Sequence, residues 1–232
     1  MKRWGILVAA GESRRMGDHG SKIWIRIAGK STLEWSLLHF VAAEDWDGGV
    51  VVCRESDRDA IDQLLRKLGY AAWNTVDGGA FRHESVQHGL SALAGRGMAL
   101  DDVVLIHDAA RLLVGELLIR EVSETAERMG SAIPVVPVVD TVKQITRNDF
   151  RVAATLERSH LALAQTPQGF RSDWITSAYE SWSAGIPTDD GQVVEAAGRP
   201  VTWVPGDSDN RKLTTPEDLA WFTWKVKERH GI

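Results

Sequence analysis

Residues 4–22 read WGILVAAGESRRMGDHGSK: an apolar run, an exit through Ala9, Ala10 and Gly11, then Arg14, Arg15 and Lys22. Four aliphatic or β-branched residues in a row, with no polar residue between them, are the pattern of a strand buried on both faces of a parallel sheet. A strand that stops at Ala10 and Gly11 lets the backbone turn sharply. Turn amides with no large side chain above them can approach a phosphate chain. Cations just beyond would complete a polyphosphate site. An ordinary strand-to-loop turn with solvated arginines is the alternative for this stretch taken alone, and in an open α/β sheet a ligand would gather here, at the carboxyl end of the strand.

Working outward, strand-like runs recur at about 50–53 (VVVC), 103–107 (VVLIH), 131–136 (SAIPVV) and 201–204 (VTWV), separated by helical periodicity. Ser31 and Glu34 form a capping-box pair at the head of STLEWSLLHFVAAED, with Leu33, Leu37, Leu38 and Val41 on one face. Further helices are predicted at about 56–68, 84–94, 116–129, 172–184 and 215–229, the last with Thr215 as N-cap, Pro216 at N1 and Asp218 at N3. The alternation predicts one α/β domain over 1–232, a mostly parallel sheet with helices on both faces. One segment breaks the rhythm. From about 138 to 165 two alternating stretches flank Asn148 and Asp149, which reads as a projecting β-hairpin arm.

Composition narrows the function. A chain of 232 residues with 44% hydrophobic content buries a full core. Its 27 Lys and Arg against 32 Asp and Glu leave a net charge of −5, so the opening cations are a local feature on an acidic chain and nucleic acid is not an expected partner. Cys53, the only cysteine, sits in a strand run where it can neither staple the fold nor build a zinc site, which fits a reducing cytoplasm. The start MKRWGILVAAGES imitates a short signal peptide, but its apolar run flows straight into the loop, so export is not expected. No apolar stretch nears the roughly 18 residues of a membrane span.

Two nucleotide fingerprints fail. The dinucleotide pattern breaks at Glu12 and Ser13, and AGKST at 28–32 imitates a P-loop without the glycine that Trp24 displaces. The second informative stretch is VVLIHDAAR at 103–111, a buried strand delivering Asp108 with Arg111 beside it. Such an aspartate suits Mg²⁺, a hard ion that keeps substrate phosphates among its oxygen ligands. A structural Asp108–Arg111 ion pair is the alternative, and His107 is expected to pack rather than catalyse.

The chain resembles the 2-C-methyl-D-erythritol 4-phosphate cytidylyltransferase family, from AAGESRRMG and SK through GGAFRHESVQHGL, VLIHDAAR, IPVVPVVDTVK, LERSHLALAQTPQGF and TDDGQVVEAAG to GDSDNRKLTTPEDL. The resemblance implies a Rossmann-like nucleotidyltransferase domain that transfers CMP from CTP to methylerythritol phosphate, releases pyrophosphate and requires Mg²⁺. It implies that Arg15 and Lys22 grip the triphosphate, that Ala10 and Gly11 line the nucleotide, and that Gly79 and Ser85 face the cytosine and its ribose. Asp108 and Arg111 would border the acceptor, with Thr166, Thr188 and Lys212 around its phosphate and Asp108 and Asp209 at the metal. The arm would cross to a second copy in a homodimer, where Thr141 and Arg158 act in the neighbour's site.

The resemblance carries departures. Ser21 and Ile23 stand where the family has proline and glutamine around the motif lysine, Ser13 replaces a loop glycine, Ala80 an acidic residue and Leu112 a proline. A ribitol 5-phosphate cytidylyltransferase, a sugar-1-phosphate nucleotidyltransferase and a non-catalytic nucleotide-binding relative are the alternatives. Ala109, Ala110 and Lys143 favour methylerythritol phosphate over ribitol phosphate.

Overall fold

The computed structural model describes residues 1–11, 21–146 and 148–231. In chain order the strands are β1 (Arg3–Val8), β2 (Arg26–Ile27), β3 (Lys30–Ser31), β4 (Gly48–Cys53), β5 (Trp73–Asp77), β6 (Val103–Asp108), β7 (Ser131–Pro137), β8 (Lys143–Thr146), β9 (Arg151–Thr155), β10 (Ala162–Ala164), β11 (Gln168–Arg171) and β12 (Trp203–Pro205). The helices are α1 (Thr32–Phe40), α2 (Arg58–Leu68), α3 (Arg82–Gly95), α4 (Glu116–Met129), α5 (Ser172–Ser181), α6 (Asp190–Ala196) and α7 (Asp218–His230).

The main sheet runs β10-β7-β11-β6-β1-β4-β5, with β12 paired to β7. From β1 the chain builds outward through β4 and β5, then returns to place β6 on the other side of β1, so the strand order reverses between β1 and β6. That reversal opens a crevice beyond the carboxyl ends of the two strands. Helices α1, α2 and α4 cover one face, packing Leu37, Leu65 and Val122 on Leu7, Val51 and Leu105. Helices α3, α5 and α6 cover the other, packing Leu90, Ile175 and Val193 on Ile6, Val52 and Ile106. Each such side chain contributes about 1.5–3 kcal/mol on burial.

The main sheet is mostly parallel, as the alternation predicts, with antiparallel pairings where β11 enters between β6 and β7 and where β10 joins β7. Both strands return directly from the arm with no crossover helix, and only an antiparallel pairing permits so short a connection. Helix α7 begins at Asp218 rather than after Thr215. The Asp218 carboxylate accepts from Thr214 N and Thr215 N at 2.8 and 2.9 Å, while Asp218 N and Leu219 N donate three residues back, so the first turn is a tight one. At α1 the Ser31 half of the expected capping box forms, Ser31 Oγ accepting from Glu34 N at 3.1 Å, while the Glu34 carboxylate faces Lys67 at 3.5 Å.

The chain's ten tryptophans are partly accounted for by glycines in the strands. A Cβ on Gly5 or Gly49 would lie 2.4 or 2.5 Å from the Trp73 ring, so the two glycines form the floor on which that indole lies, edge-on to Trp46. Among the described residues strands β8 and β9 pair only with each other, and they form the arm. Every β8 residue is exposed, and Ile145, Phe150 and Val152 present apolar side chains to solvent. Among the described residues no helix is long and apolar enough to cross a membrane.

Candidate active site

A cavity of about 500 Å³ opens at the reversal point, where Ala9, Ala10 and Gly11 leave β1 and Asp108 ends β6. Lys22, Arg54, Gly79, Ala80, Arg82, Ser85 and Lys212 also line it. Of the residues singled out from sequence, the fold thus brings together Ala10, Gly11, Lys22, Gly79, Ser85, Asp108 and Lys212. Arg15 lies outside the described residues, as does Ser13.

The turn after β5 is built without side chains for a reason of space. A Cβ on Gly78 would lie 2.4 Å from the Ala10 Cβ, and one on Gly79 would lie 2.3 Å from the Glu84 Cβ. The Ser85 hydroxyl accepts from Gly79 N and donates to Phe81 O, both at 3.1 Å. Ser85 therefore shapes the turn that presents the Gly79 backbone to the cavity.

Asp108 is the hub of the charged groups that line the cavity. Its Oδ1 accepts from Arg82 Nε at 2.9 Å and its Oδ2 from Lys212 Nζ at 2.6 Å. Burial alone would push the Asp108 carboxyl up, but Arg82 and then Lys212 overcome it and hold it well below the ordinary value. Arg82 also forks onto Asp190, with Nη1 and Nη2 at 3.0 and 2.8 Å from its two oxygens. Tyr179 Oη donates to the same carboxylate at 2.6 Å, and Gln168 Oε1 accepts from Asp190 N at 3.1 Å. Burial first and Asp190 second push the Tyr179 hydroxyl up, so it stays a donor.

The remaining residues take other places. His107 is fully buried, stacked on Phe40, with Nδ1 at 3.1 Å from Thr166 Oγ1 and Nε2 at 3.1 Å from Arg111 O. Desolvation pushes its pKa down to about 3, so it is a neutral packing residue. Thr166 lies beneath the cavity and accepts from Asp108 N at 3.0 Å. Arg111 forms no pair with Asp108: its guanidinium reaches Asn210 O at 2.7 Å and Ala164 O at 3.5 Å, pinning the loop that carries Lys212. Thr188 is exposed, and its amide and hydroxyl donate to Gln192 Oε1 at the start of α6. Thr141 and Arg158 stand on the exposed arm, Arg158 donating to Val139 O.

Of the expected metal pair, Asp108 lines the cavity and Asp209 is not among its lining residues. Asp209 is ion-paired to Lys225 at 2.9 Å, Asp108 already holds two cations, and among the described residues no group of three His, Cys, Asp or Glu is placed to hold a metal. Sequence reasoning missed Arg82, Asp190 and Arg54. Arg82 lay inside GGAFRHES and Asp190 inside TDD, both quoted motifs, but the pairing that gives them a role spans the fold.

Comparison with known proteins agrees with this geometry. The family model for 2-C-methyl-D-erythritol 4-phosphate cytidylyltransferase matches residues 4–227. A bifunctional enzyme IspD/IspF of Caulobacter vibrioides is 42% identical over 216 residues, 93% of this chain but 54% of its own, so the chain spans about half the length of the bifunctional relatives it matches. A 2-C-methyl-D-erythritol 4-phosphate cytidylyltransferase of Dehalococcoides mccartyi is 40% identical over 216 residues, 92% of this chain and 91% of its own. The solved 4-diphosphocytidyl-2C-methyl-D-erythritol synthase of Anaerococcus prevotii superposes with a TM-score of 0.84 at 30% identity, covering 97% of this chain and 96% of that one. With motifs, cavity and matches running from β1 into α7, the chain belongs to the 2-C-methyl-D-erythritol 4-phosphate cytidylyltransferase family.

Proposed function

We propose that the chain transfers the cytidylyl group of CTP to 2-C-methyl-D-erythritol 4-phosphate, giving the diphosphocytidyl product and pyrophosphate for isoprenoid precursor synthesis. The observation that carries this reading is the cavity at the reversal point of the sheet, which gathers small-residue backbone at Ala10, Gly11 and Gly79, the cation Lys22 and the Asp108–Lys212 pair.

A phosphate monoester with a second pKa of about 6 is already largely a dianion at neutral pH, so its oxygen needs no general base to attack. Neutral, buried His107 is consistent with that. The acceptor oxygen forms a bond to the α-phosphorus, the bond from that phosphorus to the bridging oxygen breaks, and pyrophosphate leaves with the electron pair. The difficulty is repulsion between two anions. Lys22 and, by family resemblance, Arg15 offset it on the triphosphate, while Asp108 fixes Lys212 at the cavity, where by the same resemblance it meets the acceptor phosphate. A preorganised donor of this kind is worth about 3–4 kcal/mol of barrier.

The carboxylates here do not suit a resident metal, so we propose that Mg²⁺ enters as the counter-ion of the triphosphate and neutralises charge on its oxygens. No step above depends on it. We further propose a homodimer in the cytoplasm, with the arm reaching a second copy. Support comes from the exposed apolar side chains of Ile145, Phe150 and Val152 on an isolated two-stranded hairpin, an element marginally stable alone in water, and from a single buried thiol.

Pyrophosphate release with CTP and methylerythritol phosphate tests the reaction, with UTP and ribitol 5-phosphate as competing substrates. Lys22→Ala is expected to abolish turnover with the fold intact. Wild-type kcat in that variant would sink the assignment, and faster turnover of ribitol 5-phosphate would move the chain to the relative that uses that polyol.

A further inference from the structure

Lys22 opens a single tight helical turn, Lys22–Trp24, whose backbone bonds are Trp24 N to Ser21 O at 3.0 Å and Ile25 N to Lys22 O at 3.3 Å. So short a turn does not hold itself in place. Serine at position 21 does not restrict the backbone as proline would. Two anchors from outside fix the turn. Ile23 is buried in the core at 1% exposure, and the Trp24 indole Nε1 donates to Asp57 Oδ1 at 2.7 Å.

Asp57 does a second thing. It is itself buried, at the foot of α2, and its other oxygen accepts from Arg54 Nε and Nη2, both at 2.9 Å. Arg54 follows β4 directly and lines the same cavity as Gly11 and Lys22. One carboxylate thus sets the angle of the Lys22 turn through Trp24 and the reach of Arg54 through its guanidinium. The fork uses one N–H on Nε and one on Nη2, so the two on Nη1 and the second on Nη2 are left for a ligand.

We infer that Arg54 is a further binding residue for the polyphosphate of the nucleotide, and that Asp57 positions it in register with Lys22. This rests on the nucleotide-binding part of the function proposed above. The other cations described on the cavity wall, Arg82 and Lys212, are committed to Asp108. A planar guanidinium already held by a carboxylate meets phosphate oxygens with little further ordering of its side chain.

The test combines equilibrium dialysis of CTP with steady-state kinetics on Arg54→Ala, Arg54→Lys and Asp57→Asn. Arg54→Ala is expected to weaken CTP binding about tenfold or more and to raise KM for CTP equally, with KM for methylerythritol phosphate unchanged within about twofold. Arg54→Lys recovers part of the loss, since it keeps the charge without the fork, and serves as the readout should the alanine variant fail to fold. Asp57→Asn raises KM for CTP and lowers kcat together, because Lys22 moves with Arg54. CTP affinity within about twofold of wild type in both Arg54 variants would overturn the inference, as would equal rises in KM for both substrates. A wild-type chain that binds CTP and transfers nothing defeats the activity reading alone. No CTP binding by the wild type defeats both.

Discussion

Lys212 Nζ donates to Asp108 Oδ2 at 2.6 Å, across 104 residues of chain, and this contact turns a flexible lysine on a loop into a fixed charge at the cavity. Arg82 holds the other Asp108 oxygen, so the carboxylate stays in place when the lysine is removed. Lys212→Ala is therefore expected to lower kcat by about 10²–10³ while leaving thermal unfolding nearly unchanged, read by pyrophosphate release alongside circular dichroism. A loss in KM for the acceptor without a loss in kcat would assign Lys212 to ground-state binding instead.

Asp190 has no exposed surface and carries the Arg82 fork and the Tyr179 hydroxyl together. Asp190→Ala leaves the Arg82 guanidinium without its bidentate partner, an imbalance that costs about 3–5 kcal/mol at a buried pair. Tyr179→Phe removes one hydrogen bond to a charged group, about 1.5–3 kcal/mol. Urea denaturation midpoints should rank the two in that order, and a neutral Asp190→Ala result would show that the network adds nothing to stability.

These two networks mark the limit of what sequence carries. Strand β1 and its glycine exit were legible because an apolar run and a turn are local signals, and α4 was legible over Glu116–Met129 because one face repeats every three to four residues. Strand β11 was not. Its four residues, QGFR, have no repeating pattern, and their pairing is decided by β6 and β7, which lie elsewhere in the chain. Arg82 was passed over for a related reason: its partners lie 26 and 108 residues away, and nothing local separates an exposed arginine from a bridging one. The motif around Asp209 likewise does not reveal its ion pair with Lys225, which α7 supplies.

A pH effect on stability follows from His39. Its Nδ1 meets Leu112 O at 2.5 Å, its Nε2 lies 3.1 Å from His230 Nε2, and the ring is stacked on Trp35. Burial, aided by Arg229 and His230 and opposed by the Leu112 carbonyl, pushes its pKa from 6.5 down to about 4. The unfolded chain then takes up the proton first as pH falls. Stability from this group is fully present above pH 6.5 and is lost progressively toward pH 4, with a slope of at most about 1.4 kcal/mol per pH unit. Buried His107 acts in the same direction. His39→Gln should flatten the slope between pH 6.5 and 4 by close to one proton, measured by urea unfolding at each pH. An unchanged slope would mean that His39 is protonated in the native state.

Cys53 offers a probe that is silent until the fold opens. The thiol is fully buried in β4, and burial first, then the nearby Asp57, pushes its pKa from 9.0 up to about 12. A thiol of that kind is almost entirely protonated at pH 8, and the protonated form does not attack. A thiol-specific reagent should label the native protein far more slowly than the denatured one, and CTP should slow it further by binding the folded chain and not the unfolded one. Fast stoichiometric labelling of the native chain would place Cys53 outside the core.

The arm gives the sharpest test of assembly. Thr141 and Arg158 stand on or beside an exposed hairpin that, among the described residues, pairs with no other strand, while Lys22 lines the cavity. If the arm of one copy completes the cavity of the other, each site draws Lys22 from one chain and Arg158 from its neighbour. Pairing a Lys22→Ala chain with an Arg158→Ala chain then concentrates both lesions in one site and leaves the second with both native residues. Heterodimers purified by two different affinity tags should regain about half the wild-type kcat, although each parent homodimer is nearly inactive. Were each site built from a single chain, both sites of the heterodimer would carry one lesion, and mixing would restore nothing. The assay therefore separates a shared site from a dimer whose arms merely hold two independent sites together.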